Sequence, residues 1–300
     1  MAIQNSLQKS KGNQRLGITA YLTGDAVKNQ INQVVGGKNG QRFISAIVSA
    51  VNTNPTLQEC TNQSILSGAL LGESLKLSPS PQLGHYYLVP FNDKNKGKVA
   101  QFQMGYKGYI QLAIRSGQYK KINVIAVKEG ELEYFDPLNE EIKINMMIDK
   151  WDEREAAPTI GYYAMFELVN GFRKAIYWSK AQIEAHALKY SPGYKKDRRD
   201  GSNHTFWSKD FDGMAYKTML RQLISKWGIM SIDMQSAIDA DMAVINEDGS
   251  KDYVDNDDSI IDAEPPQSEE PQPEPRQEAE KKPETTQQPT DAQMALFGNK

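Results

Sequence analysis

Apolar positions recur at helical spacing in two early runs, Phe43, Ile44, Ala46, Ile47, Val48 and Val51, then Ile65, Leu66, Ala69, Leu70, Leu71 and Leu75. Asn62 stands where the second helix needs an N-cap. The pattern then becomes alternation. Residues 85–91 and 98–104 flank the polar turn Asn92-Asp93-Lys94-Asn95-Lys96-Gly97 and predict a hairpin. Residues 105–117 return to helical spacing, and 122–129 read as a strand.

A second hairpin is expected over 159–179, where Asn170-Gly171 supplies the positive-φ pair of a two-residue turn. That turn sets Val169 opposite Phe172, Glu167 opposite Lys174, Met165 opposite Ile176 and Tyr163 opposite Trp178. The result is a largely apolar face with one cross-strand ion pair. Helices follow at 181–190 and 209–228, separated by a loop at 191–206. Helices, hairpins and helices in this order predict an α+β fold: a small antiparallel sheet with packed helices.

The two ends break the pattern. Residues 1–40 are dominated by Gly, Asn, Gln and Lys, and read as a flexible arm with at most one short helix near 25–35. Beyond Asp239 lie seven of the 14 prolines and only two aromatics, Tyr253 and Phe297, so this stretch reads as a disordered tail. The expected organisation is an arm (1–40), a folded core (41–240) and an acidic, Pro-rich tail (241–300), with a 1–240 fragment keeping the core's activity.

Charge sharpens this division. Residues 1–238 hold 30 basic and 21 acidic side chains, a net of +9, whereas 239–300 hold 5 and 17, a net of −12. A basic core favours a polyanion, and an acidic tail beside it competes for the same surface. No segment approaches the ~20 apolar residues of a membrane span, and the opening Met1-Ala2-Ile3-Gln4-Asn5 shows no charged start followed by an apolar stretch, so a soluble, cytoplasmic protein is expected.

Catalytic chemistry is poorly represented. Cys60 is the one cysteine and His85, His186 and His204 are the only histidines, too few for a disulfide framework, a zinc finger or a nucleophilic triad. Gly37-Lys38 and Gly97-Lys98 lack the remaining residues of a phosphate-binding P-loop. Asp136 with Glu141-Ile142-Lys143 is the nearest thing to a nuclease centre. It lies within residues 129–155, which hold ten acids and three bases and read better as a solvated acidic face. No catalytic residue, metal or cofactor is expected.

Basic charge interleaved with aromatic and amide groups is the positive signal. From Lys76 to Lys128 there are nine bases and one acid, Asp93. On a helix Lys107, Gln111 and Arg115 share one stripe, with Ile110, Ala113 and Ile114 turned to the core. Gly105 and Gly108 admit a nucleic-acid backbone to the start of that helix, and Tyr106 and Tyr109 are candidates for stacking. A second basic helix carries Lys209, Lys217, Arg221 and Lys226 beside the stripe Tyr216, Leu220, Leu223 and Trp227. The candidate DNA contacts are Gln103, Tyr106, Lys107, Tyr109, Gln111, Arg115, Lys120, Lys121, Lys209, Lys217, Arg221 and Lys226. Lys195, Lys196, Arg198 and Arg199 lie on the expected loop beside Tyr194, Phe206 and Trp207, as a clamp or as plain soluble surface.

Two long stretches, residues 102–112 (FQMGYKGYIQL) and 214–221 (MAYKTMLR), the latter leading into 225–228 (SKWG), resemble the hallmark segments of RecT-type phage recombinases. The likeness runs from about Leu57 through Met234 and includes residues 69–77 and 87–91. It implies an annealing core of the RecT/Redβ type that pairs complementary single strands without ATP and holds the annealed duplex. It also implies a homo-oligomer, as ring or helical filament, and a partner exonuclease. The alternatives are a passive single-stranded-DNA-binding protein or recombination mediator, and a nuclease using Asp136 and Glu141. Near the end of the tail, Gln293, Leu296 and Phe297 resemble a short peptide that docks on a sliding clamp; the host single-strand-binding protein is the alternative receptor.

Overall fold

The computed structural model describes residues 17–253 apart from Lys94. Three helices open it: α1 (Ile18–Thr23), α2 (Asp25–Val35) and α3 (Gly37–Thr53). Residues 17–40 are thus not the flexible arm their polar composition predicts. Leu22 and Ile31 have 0% exposure within the common core, and burial contributes about 1.5–3 kcal/mol for each such side chain. A 3-10 turn at Pro55–Glu59 leads to α4 (Asn62–Ser74). Its cap is Thr61, whose side chain accepts from the Ser64 N–H; Asn62 is already helical.

The first hairpin forms as expected from β1 (Tyr86–Asp93) and β2 (Gly97–Met104). Tyr86 and Leu88 lie opposite Met104 and Phe102 and are buried, while Tyr87 lies opposite Gln103 on the other face. After α5 (Tyr106–Arg115) come β3 (Tyr119–Lys128), β4 (Leu132–Asp136), β5 (Glu141–Ile144), α6 (Trp151–Ala156), β6 (Thr159–Leu168) and β7 (Arg173–Ser179). Strands β3, β6 and β7 form an antiparallel sheet in the order β3-β6-β7. Tyr162, Ala164, Phe166 and Leu168 of β6 carry its buried face.

The register of β6 and β7 differs by one residue from the expected one. Glu167 faces Arg173, Met165 faces Ala175, Tyr163 faces Tyr177 and Tyr162 faces Trp178. The Leu168 N–H donates to Phe172 O at 2.8 Å, so the turn holds three residues and ends on Gly171 at φ 87°. This is the loop in which a glycine adopts the left-handed conformation and adds a residue to the count. A one-residue slip turns every side chain to the other face. Glu167 therefore pairs with Lys120 at 2.6 Å instead of Lys174, and Lys174 pairs with Glu140 and lies 4.3 Å from the centre of the Trp227 ring.

The acidic stretch is also not merely a solvated face. Glu131 is fully buried and binds Arg154 Nε at 2.7 Å, while Asp136 closes its own turn by accepting from the Leu138 N–H at 2.8 Å and from Asn139 Nδ2 at 2.7 Å.

The chain continues through α7 (Lys180–Tyr190), α8 (Pro192–Asp200), α9 (Phe206–Lys209), α10 (Phe211–Trp227), α11 (Ile232–Ala240), β8 (Val244–Ile245) and β9 (Lys251–Asp252). The expected loop at 191–206 is mostly helix α8. Within α10 the stripe is buried at Leu220 and Leu223, but Trp227 at its end is 38% exposed. The core does not end at residue 240. Phe102 exchanges hydrogen bonds with Ala243 O and the Met242 N–H, both at 2.8 Å, and Ala243, Val244 and Ile245 are buried. The expected tail beyond 253, with Gln293, Leu296 and Phe297, lies outside the described residues. Among the described residues no helix is long and apolar enough to cross a membrane.

Candidate nucleic-acid interface

The outer face of the first hairpin meets the start of α5 and the short helix α9. Tyr87 is half-buried, and its ring lies 5.5 Å from that of Phe206 on α9. The Lys107 stem runs beside Gly84 and Tyr87, and its ammonium sits 5.9 Å from the centre of the Tyr106 ring, a cation–π distance. The Tyr106 ring meets Tyr216 of α10 edge-on at 5.4 Å. Lys209, one turn after Phe206, is exposed. Gln103 stands across the hairpin from Tyr87, and its amide donates to Gln101 Oε1 at 2.7 Å.

Electrostatics at this surface are mainly cationic, with one acid beside it. Burial, then the charges of Arg115 and Lys107, push His85 below its ordinary value, so it is neutral at pH 7, and its Nδ1 accepts from the Ser78 N–H at 3.3 Å. Burial, then the charge of Asp210, pushes the Tyr87 hydroxyl up. Asp210 is itself engaged as the N-cap of α10, accepting from the Gly213 N–H at 3.0 Å.

The glycines of this segment serve packing more than ligand approach. A methyl group at Gly105 would run into the Gly84 carbonyl, and one at Gly108 into that of His85. They let α5 lie directly on the chain entering β1. Gly105 as N-cap brings no side chain, which leaves the first-turn N–H groups without a side-chain cap.

Exposed cations, half-buried rings and an amide on one surface suit a phosphodiester chain with bases or sugars against the rings. The RecT family model matches residues 41–259. The chain belongs to the RecT family. It is 40% identical over 279 residues to the uncharacterized protein YqaK of Bacillus subtilis (strain 168), covering 90% of this chain and 89% of that protein. It is 28% identical over 246 residues to protein RecT of Escherichia coli (strain K12), covering 78% of this chain and 86% of that protein.

In this RecT-family chain, two of the expected DNA contacts hold the fold instead. Tyr109 is fully buried and donates its hydroxyl proton to Asp241 Oδ2 at 3.1 Å. Lys217 is 5% exposed and donates to Asp241 Oδ1 at 2.8 Å, where the Met104 N–H also donates at 2.9 Å. One carboxylate thus joins β2, α5 and α10. Burial, then the charge of Asp241, raises the Tyr109 hydroxyl well above its ordinary value.

The remaining candidates are distributed. Lys107, Gln111 and Arg115 do share an exposed stripe, but Ile114, expected in the core, is 55% exposed. Arg115 donates to the Leu75 and Lys76 carbonyls at 2.6 and 3.2 Å and so closes the end of α4. Lys120 and Lys121 of the edge strand β3 hold Glu167 of the central strand β6. Lys226 lies 5.7 Å from the Trp227 ring centre at the far end of α10. Arg221 is partly exposed and forms no ion pair among the described residues. The structure therefore gathers Gln103, Tyr106 and Lys107, adds Tyr87 and Phe206, and sets Lys209 exposed one turn along the helix from Phe206. Alternation in the first hairpin puts Tyr87 on the outer face; nothing local in the sequence points Phe206 toward it.

Lys107→Ala with Lys209→Ala is expected to weaken single-strand binding and reduce the slope of log K against log salt by about 1.4, at roughly 0.7 per phosphate contact. Both side chains are exposed, so the melting temperature should not change. Salt titration of oligonucleotide binding, with melting as control, checks both expectations.

Proposed function

We propose that this protein binds single-stranded DNA and anneals complementary strands in homologous recombination, without ATP hydrolysis and in a phage or prophage setting. Membership of the RecT family over residues 41–259 carries the reading, since it supports a role in single-strand annealing and recombination. The surface around Tyr87, Tyr106, Lys107, Phe206 and Lys209 supplies chemistry that fits. Cations hold phosphates without reading sequence, and rings that are half-buried from one side leave the Watson–Crick edges of a strand free. Complementarity then selects the partner strand. The protein acts by binding, with the annealed duplex as product, and no bond is made or broken.

Self-association into a ring or filament and delivery of strands by a partner exonuclease belong to the same proposal. So does docking of Gln293, Leu296 and Phe297 on a sliding clamp or single-strand-binding protein. Mixing two complementary fluorescent oligonucleotides with the purified protein, with and without ATP and magnesium, tests the central claim. Rapid duplex formation without ATP is expected. Coating without pairing would make this a passive binder, and shortened DNA would make it a nuclease.

A further inference from the structure

Helix α8 is built so that its cations face solvent. Ser191 caps it by accepting from the Tyr194 N–H, Pro192 opens it, and Gly201 ends it in the left-handed conformation. Its inner face is Tyr194 and Asp197, three residues apart and 4% and 3% exposed. Lys195, Lys196, Arg198 and Arg199 are all exposed.

Asp197 fixes this arrangement. Its carboxylate accepts from Ser202 Oγ and Ser208 Oγ at 2.7 Å, and from the Thr205 N–H and hydroxyl at 2.8 Å. The His204 N–H adds another hydrogen bond at 3.0 Å. Burial raises its pKa, but these donors outweigh burial and hold the carboxyl far below the usual carboxylate range. Thr205 and Ser208 flank Phe206, and Lys209 follows, so the same carboxylate ties α8 to the helix whose ring meets Tyr87. Tyr194 reaches that helix too, with its ring 5.9 Å from Trp207.

Resting on the proposed single-strand binding, we infer that α8 is a second phosphate-binding track, in which Lys195 and Lys196 hold a continuation of the strand gripped at Lys107 and Lys209. Asp197 is a positioning residue that holds the two tracks in fixed relation. The acids facing α8 account for the arginines: Glu184 pairs with Arg198 at 3.1 Å and Asp200 with Arg199 at 2.8 Å. Lys195 and Lys196 form no ion pair among the described residues, and they carry the test.

Lys195→Ala/Lys196→Ala in the full chain should reduce the salt slope of oligonucleotide binding by about 1.4 while leaving the melting temperature unchanged. Lys195→Arg/Lys196→Arg should keep the slope. An alanine variant with the wild-type slope overturns the inference. Parallel titration of Lys107→Ala/Lys209→Ala separates the two readings. A reduced slope there, with none in the α8 variant, rejects the second track and leaves the first surface standing; unchanged slopes in both reject both.

Discussion

A chain ending at Ala240 is expected to melt at least about 10 °C below one ending at Tyr253. The shorter chain lacks Asp241 and keeps Lys217, whose ammonium is buried against that carboxylate at 2.8 Å. Removing one partner of a buried pair costs about 3–5 kcal/mol, because the other charge is left in a low-dielectric interior. The Tyr109 hydroxyl and the Met104 N–H lose the same acceptor, and β2 loses its hydrogen bonds to residues 242 and 243. For a domain of this size each kcal/mol lowers the midpoint by roughly 2–4 °C. Asp241→Ala in the full chain separates the carboxylate from the backbone hydrogen bonds of residues 242 and 243, and should cost at least about 3–5 kcal/mol in urea unfolding. Lys217→Met combined with Asp241→Leu should recover the part of that loss due to the stranded ammonium, since an apolar pair needs no counterion. The part due to the Tyr109 hydroxyl and the Met104 N–H, which still lack an acceptor, should remain. Equal melting of the two truncated chains would show that residues 241–253 contribute nothing to the core.

Where one face of an element is buried, the sequence pattern was enough to find it. Helices α3, α4, α5 and α10 and both main hairpins follow from spacing alone, because each must hide a stripe or a face. Register was harder. Asn170-Gly171 fits a two-residue turn, and only the hydrogen bond between Leu168 and Phe172 shows that Val169 also belongs to the loop. Helix α2 forms where one short helix is expected, near 25–35, with Val27, Ile31 and Val35 one turn apart and packed on the core. Helix α1 escapes the pattern because its six residues are too few to show a helical period. For α8 the signals were present: Ser191 at the cap, Pro192 at the first position and Gly201 after the end. A run of charges between them reads as loop when its inner face is only a tyrosine and an aspartate.

The candidate site was half legible for a related reason. A lysine in a basic stretch looks the same whether it meets phosphate or a buried carboxylate. Lys107 and Lys217 sit in equally suggestive motifs, yet the first is exposed and the second is closed off by an acid 24 residues later in the chain. Composition places Glu131 on a solvated acidic face and Asp241 at the start of a disordered acidic tail, although each neutralises a buried cation. Sequence composition reports the amount of charge; its satisfaction depends on long-range contacts that only the fold supplies.

Glu131→Gln should destabilise the protein by about 3–5 kcal/mol at neutral pH, and by progressively less as the solution is acidified. Glu131 is fully buried where β3 gives way to β4. It accepts from the Lys128 N–H at 2.8 Å, the Met147 N–H at 3.2 Å and Arg154 Nε at 2.7 Å, and Arg154 in turn donates to the Ala126 carbonyl at 2.9 Å. One carboxylate thereby ties the sheet, the segment after β5 and helix α6 together. Burial raises the carboxyl's pKa, but the Lys128 N–H, Arg154 and the Met147 N–H outweigh it and hold the group below its ordinary value. A folded pKa below the unfolded one means that the unfolded chain takes up the proton first. The stabilisation is then complete above the unfolded value and is lost as pH falls through the folded one. The variant has no proton to gain at this position. Its stability curve should therefore lie well below the wild type at pH 7 and converge on it in acid, whatever the other carboxylates do in both proteins. Urea unfolding of the pair from pH 7 down to about pH 3 measures that difference, and a gap that stays constant would show that the charge on Glu131 does not hold these elements together.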